Sequence, residues 1–158
     1  MQPKISFFAW EAMWGKALTL DMVQKKGQAL ENRCFMCLEK EETIDHLLLH
    51  CSRTRVLWDL LFTLFGVSWV LPSSVKETLL SWHGSFVGKK RKKAWRAAPL
   101  HIFLTVWKAR NRLTFKDDML SIQRLKYFFI LSFWSETKLF IVDCPLTIAN
   151  FIDWLGSK

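Results

Sequence analysis

Four side chains within eighteen residues have the types and spacing to hold a metal ion: Cys34-x2-Cys37-x8-His46-x4-Cys51. Two cysteines two residues apart fit a tight turn that aims both sulfurs at one point. Thiolate and imidazole together suit Zn2+, which accepts them in a tetrahedron with no further geometric demand. A set of three thiolates and one imidazole is closed. It leaves no vacant position for water, so the chemistry it implies is structural and not hydrolytic. The second half-site carries a geometric condition. A strict α-helix turns about 100° per residue, which would leave Cys51 about 140° around from His46. The helix must therefore unwind or end before Cys51, and Ser52 as a fresh N-cap agrees with that. His50 competes for the fourth position, because His46 and His50 form an i, i+4 pair. Adjacent His50 and Cys51 do not suit one ion together. Cys51 is preferred, since thiolate is the stronger zinc ligand.

No catalytic constellation accompanies this cluster, and the chain reads as a non-enzyme. Phe115-Lys116-Asp117-Asp118 has the letters of an aromatic-x-Asp-Asp metal box, but such a box needs a hairpin tip and a third carboxylate. With helical flanks, the pair reads as a helix end followed by an acidic first turn. Cys144 stands alone beside Pro145 and reads as a buried thiol. His83 and His101 have no partner at ligand spacing. Neither a phosphate-binding Gly-rich loop nor a Gly-x-Ser-x-Gly elbow occurs.

Charge points to a polyanion. Lys and Arg number 23 against 14 Asp and Glu, a formal charge of +9. The densest run is Lys89-Lys90-Arg91-Lys92-Lys93, followed by Trp95 and Arg96. It reads as a phosphate-contacting stripe with one ring able to stack on a base. The alternative is a solvated linker. The run also has the composition of a nuclear localisation signal. Nine Trp and thirteen Phe exceed what a small domain readily hides, so some rings belong on a surface meant for a partner.

The elements that must position these residues are helical. Gly and Pro are sparse, strand-like alternation is scarce, and the apolar spacing follows a helix. The pattern predicts a helix over 5–14 and a second from Thr19 or Asp21 to Gly27. Thr43 caps a short helix through Leu49. Ser52 or Thr54 opens a helix through Phe65, closed by Gly66. A capping box, Ser74-Val-Lys-Glu77, starts a helix to about Trp82. A long helix begins near Arg91 or Pro99 and runs to about Phe115; another covers 120–140, and a short amphipathic one 148–155. Trp10, Trp14, Trp58, Trp107 and Trp134 fall at helical spacings suited to a core. The fold class is thus all-α, with short helices around an embedded Cys-Cys-His-Cys knuckle and longer helices after it. The basic run divides a zinc-bearing part, 1–84, from a helical part, 85–158. No secretory signal is evident. The most apolar stretch, Val56–Leu71, spans sixteen residues with Asp59 inside, short of the ~20 that cross a membrane. With three of the four cysteines clustered, a reducing compartment, nucleus or cytoplasm, is expected.

Several strings resemble one family, the zinc-binding domain that follows the reverse transcriptase in plant non-LTR (LINE-type) retrotransposons. Pro3-Lys4-Ile5 through Phe8-Ala9-Trp10 is similar to its opening element. Gly15-Lys16-Ala17-Leu18-Thr19-Leu20-Asp21 is similar to its linker. Cys34-Phe35-Met36-Cys37, Glu42-Thr43-Ile44-Asp45-His46-Leu47 and Cys51 resemble its Cys/His signature, with Trp58 at its usual Trp. Trp107-Lys108-Ala109-Arg110-Asn111-Arg112 and Phe115 resemble a run found downstream. The resemblance implies a zinc-stabilised helical module that binds RNA or DNA as an accessory of a reverse transcriptase polypeptide, here as a fragment or isolated copy without polymerase. A structural module that docks on a polymerase is the alternative.

Overall fold

A left-handed Gly66 (φ 68°) and a Ser74 side chain that accepts from Glu77 N show how directly sequence punctuation sets the helices. The computed structural model describes residues 10–13, 15, 17–25, 27, 31–82, 87–116 and 121–157; of residues 114–116 it describes the backbone alone. Helix α1 spans Leu20–Lys25. A π-helical turn, His46–His50, leads through Cys51 into α2, Ser52–Phe65. Helix α3 covers Val75–Ser81. A 3-10 turn, Lys89–Arg91, runs directly into α4, Lys92–Lys116. Helices α5, Ile122–Phe140, and α6, Ile148–Gly156, follow, each capped by the hydroxyl ahead of it, Ser121 and Thr147. No strand occurs among the described residues.

The expected helix over 5–14 lies mostly outside the described residues; 10–13 are helical. Of the tryptophans expected in the core, Trp58 is fully buried, Trp107 and Trp134 are half-buried, and Trp10 is exposed; Trp14 lies outside the described residues. His83, Asp117 and Asp118 also lie outside them.

Helix α2 is the hub. It packs on the π-turn, α4, α5 and α6. The core around it is aromatic. Trp82 and Trp95 stack with centroids 4.2 Å apart, and Trp58 meets Trp82 and Phe103 edge-on. Pro99, a residue that could have marked the start of α4, sits inside it. Proline has no N–H, so the carbonyl four residues earlier, on Trp95, loses its helical donor. The Trp82 indole N–H donates to that carbonyl at 2.7 Å. One buried cluster draws on Cys34 and Leu47 as well as Phe103, Phe129 and Phe151.

Candidate metal centre

The ligand turn depends on a local departure from the α-helix. Thr43 Oγ1 accepts from His46 N at 3.0 Å and starts the segment. The backbone then widens, and Cys51 N donates to His46 O at 2.6 Å, an i to i+5 bond. Such a bond brings the fifth residue roughly one turn on. The 140° offset of a strict helix shrinks, and the ligand atoms of His46 and Cys51 come to one side. The expected unwinding is thus a π-turn. Two carbonyls at the end of the turn find side-chain donors on α2: Thr54 Oγ1 donates to Leu47 O at 2.7 Å and Trp58 Nε1 to Leu48 O at 2.8 Å. Leu47, Leu48 and Leu49 are fully buried beneath.

Cys34, Cys37, His46 and Cys51 converge, with their ligand atoms all within 4.8 Å of one another. Cys34 Sγ lies 3.9 Å from Cys51 Sγ, and Cys37 Sγ lies 3.3 Å from His46 Nε2. A tetrahedron with zinc–sulfur bonds of about 2.3 Å has edges of about 3.8 Å. The donor set and its dimensions fit one zinc ion. Cys34 and Cys51 are buried, so one side of the site is dry. His50 is exposed and turns away toward Ser73 O, at 3.4 Å, so the competing i, i+4 pair does not form.

The electrostatics favour a thiolate at Cys51. The hydrogen bond from the Cys34 thiol pulls Cys51 down to about 5, against the opposing effect of burial; the Arg53 and Thr54 amides at the start of α2 pull further. The same hydrogen bond, with burial, holds Cys34 well above an ordinary thiol. Thiolate is the form that ligates metal.

Behind the sulfurs stands a carboxylate that sequence reading assigned no role. Glu42 is fully buried. It accepts from Leu20 N at 3.0 Å and from Phe35 N, between the first two cysteines, at 3.2 Å. Its charge is met by Arg110 of α4, whose NH2 lies 2.7 Å from Oε1. The Arg110 guanidinium also lies over the Phe35 and Trp107 rings, at 4.9 and 5.0 Å. Asp45 is a second such residue, accepting from Val75 N at 2.9 Å at the start of α3. Glu42 and Arg110 both stand in strings quoted above. Their 68-residue separation concealed the pairing.

Residues 1–58 of the 158 match the family described as zinc-binding in reverse transcriptase. This segment is a reverse-transcriptase zinc-binding domain. The match ends within α2, so α3 to α6 and Arg110 lie beyond it. Neither the curated proteins nor the solved structures give a match to the chain.

Two residues of the basic segment expected to meet nucleic acid, Arg91 and Trp95, are buried. Lys89, Lys90, Lys93 and Arg96 are exposed, and Lys92 is half-buried. Arg91 is buried: it donates from Nε to Trp154 O and from NH2 to Ser157 Oγ, and lies over the Trp154 ring at 5.2 Å. It serves the C-terminal end of α6, where carbonyls lack helical donors. Trp95 is fully buried in the aromatic core and has no face for a base. Two other titratable groups set aside above, His101 and Cys144, are buried. His101 is fully buried, with Nδ1 3.0 Å from Ser132 Oγ, and burial pulls it down to about 4. Cys144 is buried, which pushes its thiol up and keeps it inert.

Proposed function

We propose that the chain is a nucleic-acid-binding accessory module of a retrotransposon reverse transcriptase of the plant non-LTR type, with no catalysis of its own. The observation that carries this reading is the convergent Cys3His group within a reverse-transcriptase zinc-binding domain. Charge supports it: the chain has a net charge of +9, with Lys89, Lys90, Lys93 and Arg96 exposed along one short segment. In this reading Cys34, Cys37, His46 and Cys51 hold zinc, which fixes the knuckle. The exposed cations neutralise phosphates and release counterions.

Filter binding of zinc-loaded protein to single-stranded RNA, single-stranded DNA and duplex DNA across salt concentrations tests it. Affinity should fall steeply with salt. Replacing Lys89, Lys90, Lys93 and Arg96 with Gln should weaken binding to all sequences alike and flatten the log–log slope by up to about 3, from roughly 0.7 per phosphate on a single strand. Absence of binding to all three at low salt would overturn the reading.

A further inference from the structure

With Trp95 buried, a ring that could meet a base lies elsewhere, and two exposed rings, Phe128 and Phe140, line recesses along the α4–α5 seam. Two recesses line that seam end to end and share Glu136. One, of about 530 Å3, is walled by Leu104, Lys108 and Arg112 on α4 and by Phe128, Leu131 and Leu139 on α5. The other, of about 360 Å3, is walled by Lys93, Arg96 and Ala97 on α4 and by Phe140 and Ile141 beyond. Lys93, Ala97, Leu104, Lys108 and Arg112 recur at helical spacing, so both recesses open on one face of α4. From Lys93 to Arg112 that face runs about 28 Å at ~1.5 Å per residue.

Each recess pairs an exposed ring with cations. Phe128 is 37% exposed and Phe140 is 52% exposed. The Arg124 guanidinium lies 5.9 Å from the Phe128 ring centre, and Tyr127, also exposed, adjoins it at 6.1 Å. The one carboxylate in either lining among the described residues, Glu136, is itself buried. Cations along a groove favour a phosphate backbone, and rings set within it favour bases that are free to stack. A duplex keeps its bases stacked inside and has none to offer.

We infer that the α4–α5 seam is a single-strand binding groove, in which Phe128 and Phe140 stack on bases while Lys93, Arg96, Lys108 and Arg112 contact the backbone. This rests on the nucleic-acid reading and deepens it: it names the form of the ligand and moves the contact from the basic run alone to the seam. A groove of this length fits the low end of the roughly 4–16 nucleotides such sites take.

The test is fluorescence anisotropy of labelled 12-nucleotide oligo(U) and oligo(dT), with a 12-base-pair duplex alongside, against the full zinc-loaded chain. Phe128→Leu and Phe140→Leu keep apolar bulk and remove the ring; circular dichroism and zinc content verify folding. Each should weaken single-strand binding about tenfold, within the roughly 5- to 150-fold that stacking of ~1–3 kcal/mol per base implies. Duplex binding should hardly change. Single-strand affinity untouched by either substitution would overturn the inference and leave the nucleic-acid reading standing, as would binding to duplex alone. Equal losses on duplex and single strand would assign the rings to general packing and also overturn it. No binding to any probe would bring down both.

Discussion

The zinc-binding knuckle and the helical body that carries it are held together by opposite means. In the helical body, 52–157, large apolar side chains interlock: Trp58, Trp95, Phe103, Phe129, Phe133 and Phe151 are fully buried. Burial of such rings is worth about 1.5–3 kcal/mol each and needs no partner of defined geometry. The knuckle, 31–51, has little of this. Its loop from Leu38 to Thr43 is polar, with Leu38 to Glu41 exposed. Its shape comes from four ligands, from the buried Glu42 carboxylate, and from three leucines that reach into the shared core. One region is stable by bulk and the other by a few exact partners. Losses should therefore be graded in the helical body and abrupt in the knuckle.

Removing the metal tests this contrast most severely. A structural zinc contributes on the order of 10 kcal/mol in small modules. Chelation, or Cys34→Ser, should deprotect amides over 31–51 in hydrogen exchange while α2 and α4 to α6 stay protected. Uniform loss across the chain would mean that the two regions share one source of stability.

Severing the polar bridge between the regions comes next. Arg110→Ala strands the Glu42 carboxylate in a buried site, an imbalance that costs about 3–5 kcal/mol. Zinc release to a competing chelator should speed up although Arg110 touches no ligand. Adding Glu42→Gln should recover part of the loss. Additive losses in the double variant would show that the two side chains do not interact.

Acid probes the helical body. His101 has a folded pKa of about 4 against 6.5 unfolded, so it is neutral when folded. Its contribution is fully present above pH 6.5 and is lost as pH falls toward 4. From pH 7 to pH 5 that loss is about 2 kcal/mol. His101→Gln lacks the titration, so in urea titrations of zinc-loaded protein it should lose about that much less than the parent. Parallel curves for the two proteins would mean that His101 does not set the acid sensitivity.

The smallest expected effect lies in the turn after Cys37. Leu38 has φ 61°, the left-handed region, and its N–H donates to Cys34 O at 2.8 Å. That conformation costs an L-residue about 1–2 kcal/mol, offset in part by the entropy glycine loses on folding. Leu38→Gly should raise stability by up to about 1 kcal/mol and slow zinc release slightly. A decrease would mean that the exposed leucine makes contacts the turn needs.

Sequence legibility divides along the same line. In the helical body, Gly66 and the Ser74 capping box place α2 and α3 close to their observed limits, because they act through local hydrogen bonds; apolar spacing alone places α5 and α6, whose caps, Ser121 and Thr147, are seen only in the structure. Pro99 left the start of α4 open between Arg91 and Pro99, because the donor that compensates for it, Trp82, is seventeen residues away and outside the helix. The ligand set was readable from donor type and spacing. The π-turn was foreseen only as a need for the helix to change before Cys51. Glu42–Arg110 and the burial of Arg91 and Trp95 were not readable, since each depends on segments far apart in the chain. A basic run looks solvated until a helix end such as that of α6 claims one of its members.

Everything said of the knuckle requires Cys34, Cys37, His46 and Cys51 to hold one zinc. Native mass spectrometry of the purified chain beside its Cys51→Ser and His50→Ala variants tests it most directly. One zinc per chain is expected in the parent and in His50→Ala, with loss or strong weakening in Cys51→Ser. Full zinc in Cys51→Ser together with loss in His50→Ala would contradict it.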